Sequence, residues 1–309
     1  MDLSIVIPTY NERENVFLLY QHIKKALDQI TNSYEVIFVD DGSRDGTFRE
    51  LENIHKKDKK IKIIKFRKNF GQTAAMDAGF KQAKGRVIIP LDADLQNDPK
   101  DIPRLLEKIN EGYDVVCGWR KNRKDTLMKH LVSRGANLLR KIILDDKIHD
   151  SGCTLKAYKK ECFEDLDLHG EMHRFIPALL MWKGFKVTEV PVKHHKRRFG
   201  QTKYGIKRTV KGFLDMLIIR FWKQYSARPI HLFGSLGMLS IFLGFLIGLY
   251  LTILKIFFGQ GIGNRPLLLL SILLIIVGVQ FFMFGIMTDI MVKSYYQKEK
   301  PYKIEKISL

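Results

Sequence analysis

Residues 86–99 read Arg86-Val-Ile-Ile-Pro-Leu-Asp92-Ala-Asp94-Leu-Gln96-Asn-Asp-Pro99. The run from Val87 to Leu91 is short, apolar and β-branched, which predicts a buried strand. It ends in two carboxylates one residue apart, then an amide, and Pro99 closes the segment. Open α/β sheets bind ligands outside the carboxyl ends of their strands, so Asp92 and Asp94 fall where a ligand belongs. Hard oxygen donors at such a place suit Mg²⁺ or Mn²⁺ shared with substrate phosphates. Asp and Asn are also ordinary turn residues, so the pair taken alone reads equally as a polar turn.

Working outward, the same pattern repeats. Leu3 to Pro8 is a β-branched run, followed by Thr9-Tyr-Asn-Glu12 and a helical stretch with Val16, Leu19, Ile23 and Leu27 on one face. Tyr34 to Val39 predicts a second strand ending in Asp40-Asp-Gly-Ser43, then a helix through Ile54. A third strand is expected over Ile61 to Phe66, and Asn69-Phe-Gly-Gln-Thr opens a helix over Ala74 to Ala83. Strands alternating with helices of this length predict a mostly parallel, Rossmann-like doubly wound sheet with a cleft along one edge. No G-x-G-x-x-G follows the first strand and no G-x-x-x-x-G-K-[ST] occurs. Any diphosphate must then be held by a metal and cationic side chains, which returns weight to Asp92, Asp94 and Gln96.

The chain has 309 residues and a formal charge of +19, which favours an anionic partner. Cys117, Cys153 and Cys162 show neither disulfide nor zinc spacing, so a reducing compartment is expected. The N-terminus carries no basic region ahead of an apolar one, and no cleavable signal is expected. Two runs, Leu232 to Leu254 and Leu267 to Met287, each meet the roughly 20-residue requirement for a membrane-spanning helix. The link Gly259-Gln-Gly-Ile-Gly-Asn-Arg-Pro266 is short, so they form a hairpin. Arg220, Lys223 and Arg228 precede it, and Lys293, Lys298, Lys300, Lys303 and Lys306 follow; the link offers Arg265, with Lys255 near the first span's end. That asymmetry predicts a cell-membrane protein with two spans, its catalytic part and both termini cytoplasmic. The expected divisions are 1–204 for the soluble domain, 205–229 for a juxtamembrane amphipathic helix, 230–292 for the hairpin and 293–309 for a basic tail.

Four motifs in register, Pro8-Thr-Tyr-Asn-Glu12, Val39-Asp-Asp-Gly-Ser43, Asp92-Ala-Asp-Leu-Gln96 and Gly118-Trp-Arg120, resemble the family 2 glycosyltransferases of GT-A fold. Within these the chain is similar to the polyisoprenyl-phosphate glycosyltransferases, the group that includes dolichol-phosphate mannose synthase. The hairpin resembles the bacterial and archaeal members that charge a lipid phosphate with a hexose. The resemblance implies that Pro8, Tyr10, Glu12, Val39 and Asp41 surround the base and ribose of a nucleoside-diphosphate sugar. It implies that Asp92 and Ala93 line the ribose and diphosphate, that Asp94 and Gln96 hold Mg²⁺ or Mn²⁺, and that Arg120 meets a phosphate or the sugar. For Glu12 and Asp41, helix capping and turn formation are the competing readings.

His149-Asp-Ser-Gly-Cys153 resembles the family's acceptor-side loop, with Asp150 a candidate base or orienting group and Ser151 a second polar contact. Arg197-Arg-Phe-Gly-Gln-Thr-Lys203-Tyr resembles its basic loop, which implies that Arg197, Arg198 and Lys203 bind the acceptor phosphate. From Lys193 to Arg228 there are eleven Lys and Arg against one acid, Asp215, so part of this segment also suits anionic lipid headgroups. Leu127 to Leu144 is basic and amphipathic and reads either as a bilayer-surface helix or as a solvated one. Phe213, Leu214, Leu217, Ile218, Phe221 and Trp222 fall on one helical face, as an interfacial helix requires. His169-Gly-Glu-Met-His173 matches no zinc-protease pattern.

The resulting expectation is inverting transfer of a hexose from a nucleoside diphosphate to a polyprenyl phosphate, undecaprenyl or dolichyl, at the cytoplasmic face. Asp94 would serve the leaving diphosphate. The rivals are a processive polysaccharide synthase, whose Q-x-x-R-W motif and longer set of spans are missing, and a nucleotide-sugar-binding membrane protein without turnover. Nucleic acid is not an expected partner, because the basic residues cluster beside the spans. Self-association, the donor's base and sugar, and the acceptor's length are left open.

Overall fold

The computed structural model describes residues 1–31, 33–121, 148–164, 166, 168, 170–196, 216–221, 224–225, 228–263 and 265–296. The amphipathic stretch 127–144, the loop residues Arg197, Arg198 and Lys203, and most of the expected juxtamembrane helix at 205–229 lie outside them. The chain forms two compact units, 1–217 and 218–309.

In the first unit, β1 (Leu3–Thr9), β2 (Tyr34–Asp40), β3 (Ile61–Lys65) and β4 (Val87–Pro90) confirm the four expected strands. Three more follow: β5 (Val115–Trp119), β6 (Lys156–Lys159) and β7 (Val187–Pro191). The sheet order is β3-β2-β1-β4-β6-β5-β7. Its first four strands are parallel, β6 runs antiparallel to both β4 and β5, and β7 is parallel to β5. The pairings Thr9↔Asp40 and Val6↔Pro90 bring the carboxyl ends of β1, β2 and β4 to one edge.

The covering helices are α1 (Arg13–Leu27), α2 (Thr47–Lys57), α3 (Gln72–Gln82), α4 (Ile102–Asn110) and α5 (Ile176–Trp182). α1 buries Val16, Leu19, Ile23 and Leu27, the stripe its spacing predicts. These side chains meet Ile5, Ile7 and Phe38 in the core, each fully removed from solvent. β2 is buried along its whole length, as a central parallel strand covered on both faces should be.

The second unit contains α6 (Ile230–Phe258) and α7 (Pro266–Tyr296). Both are long and apolar enough to cross a membrane, and only 11% of each most apolar window is buried. They contain the two expected spans and extend past them. Small residues let the two backbones come close. A Cβ at Gly237 would lie 2.6 Å from the Gly278 carbonyl oxygen, and one at Gly278 would lie 2.7 Å from that of Gly237. Two turns further along α6, the Gly244 carbonyl accepts a buried 2.7 Å hydrogen bond from Ser271 Oγ. Backbones approach this closely in lipid-facing helix pairs because van der Waals packing must replace the missing hydrophobic drive.

Candidate active site

The carboxyl edge of the sheet is built from loops stitched to one another. Asn11, whose φ is +54°, donates its N–H to Ser43 Oγ at 2.9 Å and accepts from the Arg44 N–H at 2.9 Å. The Glu12 N–H reaches Thr47 Oγ1 at 2.9 Å, and the Arg13 N–H reaches Asp45 Oδ2 at 3.2 Å. The loop after β1 is thereby fixed to the loop after β2. Tyr10 and Glu12 are half-buried on it, as is Pro8 near the end of β1, and the Glu12 carboxylate accepts from Asn15 Nδ2 at 2.6 Å. Val39 is fully buried, so its side chain belongs to the core and only its backbone borders the edge.

Asp41 is also buried, at 3% exposure. Its carboxylate accepts the Phe70 N–H at 2.6 Å, the Gly71 N–H at 2.9 Å and Asn69 Nδ2 at 2.9 Å. Burial nevertheless pushes its carboxyl upward, against the two backbone donors that favour the charged form.

At the end of β4, Asp92 is held from two sides. Gln72 Nε2, at the start of α3, donates to its Oδ1 at 2.9 Å, and Thr154 Oγ1 donates to Oδ2. Burial, and then the neighbouring Asp94 carboxylate, push the Asp92 carboxyl up to about 6. Ala93 and Asp94 are buried, and Asp94 Oδ1 accepts the Gln96 N–H at 3.2 Å. Between them Leu95 adopts φ +62°, a left-handed conformation uncommon for a leucine. Such residues concentrate where function fixes the backbone. The Gln96 Nε2 donates to the His195 carbonyl at 3.3 Å, and the His195 N–H donates back to the Gln96 carbonyl at 2.8 Å. The motif is thus pinned to the segment that leads into the basic loop.

Asp94 and Gln96 offer a carboxylate and an amide oxygen beside Asp92. Among the described residues no group of three or more His, Cys, Asp or Glu could hold a metal. A hard ion drawing two donors from the chain and the rest from phosphate and water fits this set; a protein-caged zinc does not.

Arg120 and Asp150, predicted as separate contacts, are brought together. Arg120 Nε donates to Asp150 Oδ2 at 2.6 Å and Nη2 to Oδ1 at 2.8 Å, a two-pronged pair whose side chains are 11% and 14% exposed. Burial alone would raise the Asp150 carboxyl, but the guanidinium outweighs it and holds the group below its usual range. Glu189 on β7 anchors this loop: its carboxylate accepts the His149 N–H at 2.9 Å and the Asp150 N–H at 3.2 Å. The His149 ring stacks on Trp119 with centroids 4.7 Å apart. The Ser151 carbonyl accepts from the buried Lys156 at 3.0 Å.

Sequence reasoning missed Gln72, Thr154, Asn69 and Glu189. The signal for the first and third was present in Asn69-Phe-Gly-Gln72, read only as a helix start. His173, set aside with its motif, lies at 2.6 Å from Thr73 Oγ1 and so braces the first turn of α3. The three cysteines are buried and form no disulfide, and burial pushes the Cys153 thiol up to about 11.

The profile of glycosyl transferase family 2 matches residues 4–167. A dodecaprenyl-phosphate galacturonate synthase of Rhizobium johnstonii is 40% identical over 304 residues, covering 97% of this chain and 90% of the relative. An undecaprenyl-phosphate 4-deoxy-4-formamido-L-arabinose transferase of Yersinia pestis is 35% identical over 95% of this chain and 89% of its own length. Among solved structures, glucosyl-3-phosphoglycerate synthase of Mycobacterium tuberculosis superposes with a TM-score of 0.54 at 17% identity, covering 71% of this chain and 79% of that one. A mannosyltransferase of Pyrobaculum calidifontis, in complex with GDP-mannose and Mn²⁺, gives 0.50 at 15% identity over 96% and 75%. These two likenesses concern the fold alone.

Proposed function

The chain belongs to glycosyl transferase family 2 and is a glycosyltransferase with a polyprenyl-phosphate acceptor; we propose that its donor is a nucleoside-diphosphate hexose and that transfer inverts the anomeric carbon. The observation that carries the proposal is the edge at Asp92-Ala-Asp94-Leu-Gln96. Two oxygen donors there stand beside a carboxylate that Gln72 and Thr154 hold in place.

Asp94 and Gln96 would hold Mg²⁺ or Mn²⁺, with Asp92 and Ala93 along the ribose and diphosphate. Bound there, such an ion supplies positive charge to a leaving diphosphate. In the reaction an oxygen of the lipid phosphate bonds to the anomeric carbon while that carbon's bond to the diphosphate breaks. A phosphate monoester, with a second pKa near 6, is largely ionised at neutral pH and needs no strong base. Asp150, held low by Arg120, is a weak base, so the pair's role is to orient: Asp150 fixes the guanidinium, and Arg120 faces the phosphate or sugar. Pro8, Tyr10, Glu12, Val39 and Asp41 would frame the base and ribose. Three of the roughly four acceptor positions of the Asp41 carboxylate are filled, which leaves one for a base N–H. Ser151, Arg197, Arg198 and Lys203 would receive the lipid phosphate.

The test is transfer of radiolabelled sugar to a polyprenyl phosphate, across UDP- and GDP-linked hexoses, a uronic acid and an amino sugar. A labelled, chloroform-soluble product with one hexose donor is expected; no product with any of them sinks the reading.

The protein is a membrane protein. We assign the catalytic domain to 1–204, the amphipathic helix to 205–229, the hairpin of two spans to 230–292 and the tail to 293–309. The Lys/Arg asymmetry supports a cytoplasmic location for both termini. Gly263→Cys should react with a membrane-impermeant maleimide in intact cells, and Ser308→Cys should react only after lysis. Labelling of Ser308→Cys in intact cells would reverse the orientation.

A further inference from the structure

We propose that the Phe70 ring is the platform on which the donor's nucleobase stacks, and that Asp41 serves chiefly to hold that platform. The proposal rests on the nucleoside-diphosphate reading above. Phe70 is 58% exposed, more than any other large apolar side chain among the described residues of the first unit. A single exposed apolar residue needs no explanation. This one is different because its backbone is clamped on both sides.

From one side, the buried Asp41 carboxylate takes the Phe70 N–H at 2.6 Å, together with the Gly71 N–H and the Asn69 amide. From the other, Gly42 at φ +72° lies so close that a Cβ there would sit 2.5 Å from the Lys68 carbonyl carbon. The preceding aromatic, Phe66, is tied to β2 by its N–H on the Asp40 carbonyl at 2.8 Å. Its ring meets that of Phe70 edge-on at 5.7 Å. Burying one charged side chain to fix a loop that then presents a largely exposed ring to solvent makes sense if something flat lands on the ring.

The position points to a base. Asp41 and Gly42 follow the carboxyl end of β2, at the edge that carries Asp92 and Asp94 across β1. A donor with its diphosphate at Asp94 would extend its nucleoside along this edge. The Lys68 ammonium, 5.2 Å from the Phe70 centroid, adds a cation that can face the oxygens of a base. Stacking on an aromatic face is tolerant of base identity, because every base has a π-face. Phe70 would therefore set affinity for the nucleoside part, while hydrogen bonds set the choice of base.

The test uses the full-length protein in detergent, with UDP and GDP as probes. Phe70→Ala should weaken the tighter of the two by about ten-fold in calorimetry and raise the donor KM similarly. The lipid-acceptor KM and kcat at saturating donor should not move. Phe70→Tyr should restore affinity. Phe70→Trp should show fluorescence that UDP or GDP quenches and pyrophosphate does not, measured against the wild-type signal. If the wild type binds UDP or GDP and Phe70→Ala binds it within two-fold as well, or Phe70→Trp is blind to nucleotide, the platform is refuted while the donor reading stands. If the wild type binds neither, the donor reading fails and takes the platform with it. Loss of binding to lipid vesicles with an unchanged nucleotide Kd would make Phe70 a membrane contact and overturn the proposal.

Discussion

Asp94→Asn should lower sugar transfer by at least about a hundred-fold, the scale on which removing one preorganised charge-stabilising group acts. The substitution keeps shape and keeps an oxygen to accept the Gln96 N–H, now at 3.2 Å. The local turn through Leu95 should therefore persist, and the thermal transition of the first unit should stay within a few degrees. What is removed is one negative charge at the place where a divalent ion and a diphosphate would meet. The binding readout is independent of turnover. Wild-type affinity for a nucleoside diphosphate should rise on adding Mn²⁺, and that of Asp94→Asn should not. Wild-type activity in the mutant, or full activity of the wild type in excess chelator, would remove the metal from the reading.

The carboxyl edge itself is more legible in the sequence than the residues that support it. Strand ends are legible because β-branched runs stop at polar residues, and that pattern alone puts Asp41, Asp92 and Asp94 on one edge. The later strands β5, β6 and β7 are not legible in the same way. β6 is separated from β5 by 36 residues of chain, so its antiparallel pairing depends on tertiary contact. The supporting residues escape for a related reason. Gln72, Thr154 and Glu189 lie 20, 62 and 39 residues from the carboxylate or loop they hold. Nothing periodic links such residues along the chain.

The two long apolar helices show the same division. Twenty or more apolar residues announce a span through composition alone. The glycine contacts between the two helices depend on helical phase, and both helices are apolar on every side. No amphipathic stripe therefore marks which face meets the partner. Gly237, Gly244, Ser271 and Gly278 recur at two-turn intervals on their helices, which becomes a packing face only once the helices are seen side by side.

The Arg120–Asp150 pair yields the other large effect, and it separates stability from chemistry. Arg120→Met should destabilise the first unit by about 3–5 kcal/mol, because it strands a carboxylate that is only 14% exposed. The pH dependence follows from the direction of the shift. Paired, Asp150 titrates below its unfolded value of about 3.9. Its contribution is therefore complete above that value and is lost as pH falls through the folded pKa. Removing the guanidinium moves the folded titration upward, so the gap between mutant and wild type should be widest at neutral pH and close toward pH 3. Equilibrium denaturation across that range measures it; a gap independent of pH would mean that the loss is one of packing. The double variant Arg120→Met/Asp150→Leu removes both charges, and replacing a buried pair by apolar groups is often neutral. It should fold close to wild type yet transfer sugar at least about a hundred-fold more slowly, since no guanidinium remains to meet the phosphate or sugar. Recovery of activity along with stability would reduce the pair to a structural brace, and the search for the group that orients the acceptor would move to Lys156 and the basic loop.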